Sequence, residues 1–254
     1  MKTTSNITAA AFIALLLLAL PLGAATFTLN PSADAFVTTG PSGALSISNY
    51  GAAGALSVAA PDLANGEFQS VLRFDLSGAK TSFDSQFGVG QWSIQSITLS
   101  LTAAPPNNGI FNPSAAGQFG VSWMQNDSWI EGTGTPAAPS SAGITFSTLP
   151  SFLSAGDESL GTFSFAGGTS GSATYTLNLT PGFDADAAAG NLVSFSLFAA
   201  DSIVSYLFNS RTGGSGPAHP LLTVTAIPEP GALSLLATGA AFLLTARCRR
   251  NCHG

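Results

Sequence analysis

The chain of 254 residues contains little cysteine, and all of it lies near one end. Cys248 and Cys252 are the only two cysteines. No disulfide can therefore staple the rest of the chain, and a domain there must be stabilised by packing. The two cysteines and His253 form a weak pattern for zinc, because a closed zinc site takes four ligands.

Basic residues are also scarce. Between Thr26 and Ile227 the chain has twelve acidic residues but only three basic ones, Arg73, Lys80 and Arg211. Such an acidic balance repels a phosphate backbone. The composition therefore excludes nucleic acid as an expected partner.

Histidine is almost absent from the same stretch, which leaves few groups for acid–base catalysis. His219 stands alone between Ala218 and Pro220, in a turn-like sequence. Asp157 and Glu158 are adjacent, so on a strand they would point to opposite faces and could not flank one bond. We therefore expect that the protein is not an enzyme.

The first apolar run lies at the start of the chain. Lys2 precedes an apolar stretch over residues 9–20, and small side chains follow that suit cleavage after Ala24 or Ala25. The run is too short to span a bilayer. Residues 1–25 are therefore predicted to be a signal peptide, and the chain is predicted to be exported.

The second apolar run covers residues 232–246. At about 1.5 Å per helical residue it is shorter than the roughly 30 Å hydrocarbon layer. Arg247, Arg249 and Arg250 follow it, and such basic residues hold a helix end on the cytoplasmic side. The bulk of the chain is therefore expected outside; a plain C-terminal anchor helix is the simplest alternative.

The motif Pro228-Glu229-Pro230, the apolar run and the arginines together resemble the PEP-CTERM sorting signal of Gram-negative bacteria, here over residues 228–254. The resemblance implies that an exosortase-type membrane protease removes the tail near the motif. It also implies passage through the inner membrane to the outer surface or extracellular matrix, where exopolysaccharide is made. Residues 251–254 extend beyond the arginines with which the family usually ends.

Between the two ends, residues 26–227 alternate apolar and polar side chains with a period of two. Leu72 and Phe74 are expected to face inward, for example, and Val71 and Arg73 outward. The pattern predicts one all-β domain, a two-sheet antiparallel β-sandwich with jelly-roll connections rather than a closed barrel.

The irregular stretches of this domain are predicted as follows. A short helix is expected within residues 181–191, ended by Gly190. Residues 105–117 and 132–143 are rich in Pro, Gly, Ala, Ser and Asn and are expected to form long, mobile surface loops.

Short segments of the domain occur in an order that points to a second family. They are ADAFV (33–37), NYG (49–51), LSV (56–58), VLRFDL (71–76), ITLSL (97–101), WIE (129–131), FNSR (208–211) and PLLTV (220–224). In this order they resemble the DNRLRE-type domain, a bacterial cell-surface β-sandwich related to carbohydrate-binding modules. Thr212 stands where an acid often follows the Ser-Arg pair, and Phe146 where a second Trp is frequent.

A carbohydrate site needs an aromatic face with polar groups beside it. Trp129 with Asn126, Asp127 and Glu131 is the nearest match. Trp92 could also be exposed, while Trp123 is expected in the core. Arg73 and Arg211 are candidates for binding a sugar hydroxyl or carboxylate. The alternative is that each arginine pairs with an acid of the sheet, such as Asp75 or Glu131.

Calcium is the one metal ion that the acids suggest. Asp34, Asp184 and Asp186 are candidate ligands, because calcium takes several carboxylate and carbonyl oxygens. The alternative is that these acids are solvated in turns.

Three functional hypotheses follow. The leading one is a noncatalytic surface or extracellular-matrix protein, sorted by an exosortase-type system and associated with exopolysaccharide in a biofilm. The second is a specific carbohydrate-binding module, and a distant third is a glycan-acting enzyme.

Overall fold

The structure is a computed structural model that describes residues 23–229. The apolar core of the signal peptide, Pro230 and the arginine cluster lie outside the described residues. The strands are β1 (Ala25–Leu29), β2 (Ala33–Thr38), β3 (Ala55–Ala59), β4 (Phe68–Asp75), β5 (Trp92–Thr102), β6 (Gly117–Met124), β7 (Glu158–Phe165), β8 (Ser172–Leu177), β9 (Leu192–Ala199), β10 (Ser205–Asn209) and β11 (Leu221–Pro228). Two α-helices accompany them, α1 (Ser77–Phe87) and α2 (Pro181–Ala189).

The strands form two antiparallel sheets that pack face to face, which confirms the predicted β-sandwich. One sheet has the order β1-β11-β5-β8, and the other has the order β10-β3-β4-β9-β6-β7, with β2 paired to β4. The jelly-roll order becomes visible when β2, β3 and β10 are left out. The remaining eight strands, renumbered one to eight along the chain, have the order 1-8-3-6 in the smaller sheet and 2-7-4-5 in the larger one. This arrangement is a jelly roll, as the sequence predicts.

The main core lies between the two sheets and follows from the alternation. Leu72 and Phe74 of β4 are fully buried there, as expected. Phe119 of β6 meets Tyr175 of β8, on the opposite sheet, edge-on at 5.0 Å between ring centroids. Such contacts remove large apolar surfaces from water and hold the sheets together.

A second apolar cluster lies on the outer face of the larger sheet. Its buried residues are Ala33, Ala35, Val37, Val71, Met124, Trp129, Ile144 and Leu149. Val71 faces outward from the sandwich as predicted, but it is fully buried because residues 125–157 cross over this face. The larger sheet is therefore covered on both sides.

The predicted mobile loop at 132–143 is held in place by one buried side chain, Asn49. Its Nδ2 donates to the carbonyls of Glu131 and Ile144, both at 2.7 Å. Its Oδ1 accepts from the amides of Gly51 and Gly134, both at 3.1 Å. The expectation of a mobile loop is therefore wrong for the base of this segment, because Asn49 binds both of its ends.

The two helices differ in how far the sequence predicts them. Helix α2 begins with Pro181 and ends at Gly190, which has a φ of 71°, close to the prediction. Helix α1 was not expected, because it buries only Ala79 and Phe83 and so carries little periodic signal. Within residues 23–229, neither helix has the length and apolar character needed to cross a bilayer.

The first and last strands are neighbours, and the domain closes where they meet. Ala25 of β1 pairs with Ala226 of β11, so both ends leave the same pole of the smaller sheet. Strand β11 continues to Pro228, one residue beyond the predicted boundary at 227. The Glu229 amide points to β5, so the nitrogen of the preceding residue, Pro228, points to the opposite side of the strand. On that side, β1 pairs with β11 no further than Ala226, so no partner strand needs a hydrogen-bond donor at position 228. Proline is tolerated at such an edge position.

Candidate functional site

Five of the candidate residues lie close together: Arg73, Trp129 and Glu131 line one cleft on the outer side of the larger sheet, and Asp34 and Arg211 both hydrogen-bond to Glu131. Asp34 is in β2 and Arg73 in β4, while Trp129 and Glu131 are in the segment after β6, and Arg211 follows β10. In the sequence these residues are far apart. The fold brings them together.

Glu131 and Arg211 form the ion pair of the site. Arg211 Nε and Nη2 donate to Glu131 Oε1 and Oε2 at 2.9 and 2.6 Å. Glu131 Oε1 also accepts from the amide of Asp34 at 3.1 Å. Both carboxylate oxygens of Glu131 are therefore occupied, which favours the structural alternative for Arg211.

Asp34 completes this network from inside the fold. Its side chain is almost fully buried, and its Oδ2 accepts from the Arg211 amide at 2.6 Å. Burial raises the pKa of Asp34 to about 7, and the hydrogen bond from the Arg211 amide opposes the rise. Together, Asp34, Glu131 and Arg211 join β2, the segment after β6 and the segment after β10.

Arg73 holds the backbone of the covering segment. Its Nη1 donates to the carbonyls of Asp127 and Trp129, both at 2.9 Å. Its guanidinium lies over the Trp129 ring, 4.8 Å from the centroid, as a cation–π contact. Arg73 thus partners backbone carbonyls and an aromatic ring, not the acid Asp75.

Trp129 does not offer a face to a sugar, so that prediction is wrong. The side chain is 1% exposed, and its Nε1 donates to Ser194 Oγ at 2.9 Å. The ring fills the outer cluster because the covering segment needs a large apolar anchor. Trp92 is buried as well, against expectation, and Trp123 is buried as expected.

A surface cleft of about 540 Å³ lies beside these residues. Its lining includes Ser32, Arg73, Asp127, Ser128, Ile130 and Glu131. Ile130 is 69% exposed, which makes it the apolar surface that Trp129 was expected to supply. The cleft therefore combines an apolar side chain with hydrogen-bond donors and acceptors.

Two buried polar atoms of the cleft residues lack partners within the described chain. They are Arg73 Nε and Asp127 Oδ1. Burial raises the pKa of the Asp127 carboxyl; hydrogen bonding to the Ser194 side chain and, to a smaller extent, the positive charge of Arg73 oppose the rise. Unsatisfied polar atoms of this kind are uncommon in folded proteins, and here two of them flank one cleft.

The three acids considered for calcium do not form one site. Asp34 belongs to the network with Arg211, whereas Asp184 and Asp186 lie on α2. Asp186 accepts from the Trp123 indole at 2.9 Å. Residues 23–229 contain no group of three or more His, Cys, Asp or Glu side chains suited to a metal ion.

Sequence reasoning missed Asn49 and Ile130, whereas it named Asp127 as a polar group beside Trp129, and Asp127 lines the cleft. Asn49 belongs to the NYG segment but has no local feature that marks it as a buried loop anchor. The sequence favoured Trp129 over its neighbour Ile130, because an aromatic ring is the more usual platform for a sugar. Its exposure depends on which face of the covering segment meets the sheet.

No protein-family model matches this sequence, and no curated protein matches it.

Proposed function

We propose that this protein is an exported, noncatalytic component of the cell surface or extracellular matrix, sorted by an exosortase-type protease and associated with exopolysaccharide. One observation carries the proposal. Strand β1 begins at Ala25 and β11 ends at Pro228, at the two predicted processing sites. Removing residues 1–25 and 228–254 would take only the end residue from β1 and from β11, and would leave the other strands of the two sheets intact.

The arrangement of the carboxylates supports a noncatalytic role. Both oxygens of Glu131 accept hydrogen bonds from Arg211, and Asp34 is buried against the Arg211 amide. A general acid or base must be free to exchange a proton with substrate. In this cluster the acids instead hold chain segments together.

The cleft favours a second candidate function, carbohydrate binding. The polar side chains of the lining suit sugar hydroxyls, and exposed Ile130 suits the apolar face of a sugar ring. Arg73 and Asn49 fix the backbone on which Ile130 stands. The main chain on either side of Ile130 is therefore fixed by hydrogen bonds within the protein.

The sorting proposal is tested by intact mass of the protein recovered from the surface and medium of its native host. The comparison is a variant with Pro228, Glu229 and Pro230 all changed to Ala. Loss of the tail in the wild type alone supports processing at the motif. If both proteins keep the full-length C-terminus, the tail is not removed, and the alternative of a plain C-terminal anchor is favoured.

The carbohydrate proposal is tested by binding of the mature protein to exopolysaccharide isolated from the host. Ile130→Asp should abolish binding, because a charge replaces the apolar surface of the cleft. Ile203→Asp is the matched control, since Ile203 is 59% exposed and does not line the cleft. Equal binding by both variants would exclude the cleft as the binding site.

A further inference from the structure

The end of β11 carries part of the proposed processing motif into the folded sheet. Ile227 and Pro228 pair with Ser93 and Trp92 of β5. The Glu229 amide then donates to the Gln91 carbonyl at 3.0 Å. The first two residues of Pro-Glu-Pro are therefore held against β5.

The partner strand is itself fixed at this point. Trp92 is 8% exposed, and its Nε1 donates to Asp84 Oδ1 of helix α1 at 2.7 Å. Phe83 of the same helix meets the Trp92 ring at 5.2 Å. Because α1 anchors the start of β5, it is the end of β11 that must yield if the two strands separate.

Little chain separates this strand end from the apolar run. Only Pro230 and Gly231 lie between Glu229 and Ala232. Two extended residues reach about 7 Å. The headgroup layers of a bilayer add roughly 10–15 Å in total to the hydrocarbon core, or about 5–7 Å on each side. The two residues can therefore just cross one headgroup layer. With the tail in a membrane, a docked β11 end would lie at the lipid surface.

A protease must reach the main chain on both sides of the bond that it cuts. Here Ile227, Pro228 and Glu229 are paired with β5 or with the residue before it. We propose that the tail is cleaved only while residues 227–229 are detached from β5, so that docking of the β11 end and processing exclude each other. This inference rests on the proposed sorting function, and it names how the site is regulated.

The reaction itself is hydrolysis. Water adds to the scissile carbonyl and the peptide C–N bond breaks, leaving a carboxylate on the domain and an amine on the tail. Afterwards the freed strand end pairs with Ser93, Trp92 and Gln91 again. The mature protein then has a closed C-terminal end that a protease no longer reaches.

A reversible cross-link tests the proposal. In the full-length chain with Cys248→Ser and Cys252→Ser, the changes Ile227→Cys and Ser93→Cys place thiols on paired residues. The folded, oxidised chain in detergent micelles is mixed with inner-membrane vesicles of the native host, and processing is followed by intact mass. The oxidised chain should be processed at least about tenfold more slowly than the same chain after reduction, because the local opening is blocked.

The control cross-link lies further along the same two strands. Thr223→Cys and Thr98→Cys join residues that are also paired, but leave the strand end free to open. Oxidation of this control should not change the rate. Equal rates for the oxidised and reduced 227/93 chain, or equal slowing in the control, would overturn the proposal. If even the reduced chain and the wild type keep their tails, the sorting function itself is rejected, and this inference with it.

Discussion

The two faces of the larger sheet are covered in different ways. The inner face meets the smaller sheet through apolar side chains such as Phe119, which form the main core. The outer face is covered by residues 125–157. Hydrogen bonds of the Asn49, Arg73 and Glu131 side chains hold this segment to the sheet and its neighbouring loops. Apolar packing builds the scaffold, and directed hydrogen bonds fix the covering segment on it.

This contrast predicts the largest effect for a core truncation. Phe119→Ala removes a ring that contacts both Tyr175 and Tyr206. We expect the free energy of unfolding to fall by about 3–5 kcal/mol, because a large cavity remains between the sheets. Denaturant unfolding measures this, and hydrogen exchange should accelerate in both sheets. Acceleration confined to residues 125–157 would break the distinction between the two faces.

The buried acid of the outer network should make stability depend on pH. The folded pKa of Asp34, about 7, lies above its unfolded value of 3.8, so the folded state binds more protons between these values. This contribution is fully present below the unfolded pKa and is lost as the pH rises through 7. It amounts to something on the order of 4 kcal/mol.

Asp34→Asn isolates that contribution, because an amide does not titrate. Relative to the wild type, the variant should gain stability between pH 4 and about pH 7 and level off above it, as measured by urea unfolding at each pH. A constant difference across this range would show that Asp34 does not titrate in it.

Loss of the loop anchor should act locally. Asn49→Ala leaves the carbonyls of Glu131 and Ile144 and the amides of Gly51 and Gly134 without their partner. We expect a loss of about 1–3 kcal/mol and faster hydrogen exchange at residues 130–145, with strands β5 and β9 still protected. Global unfolding in its place would mean that the outer cover is part of the main folding unit.

The smallest effect on stability is expected at the cleft surface. Ile130→Ser changes an exposed side chain, so the free energy of unfolding should stay within about 0.5 kcal/mol of the wild type. A larger loss would show that Ile130 packs against the covering segment and is not free to meet a ligand.

The sequence predicts the inner core better than the outer face, for a physical reason. Alternation of Leu72 and Phe74 with polar neighbours records burial on one face of a strand, and the jelly roll follows from many such strands. Val71 carries no sign that a distant segment covers it. Trp129 was expected to present its ring to a sugar, whereas it is buried in the outer cluster and donates to Ser194, a residue distant in the sequence.

The candidate site shows the same limit. Arg211 and Glu131 were considered as partners, and the structure pairs them. Asp34 was considered as a calcium ligand, yet it accepts from a backbone amide, because the segment after β10 folds back over β2. Which segment folds back is decided by tertiary contacts that no local pattern records.

The adjacency of β1 and β11 also has a mechanical consequence. Because Ala25 pairs with Ala226, tension applied between the two ends of the domain would load the hydrogen bonds of this pair one after another, as in opening a zipper. Strands pulled in that geometry separate at lower force than strands pulled along their length, where all the bonds share the load. A domain tethered at both ends would therefore begin to open under tension at this pole, whereas release of either end would remove the load.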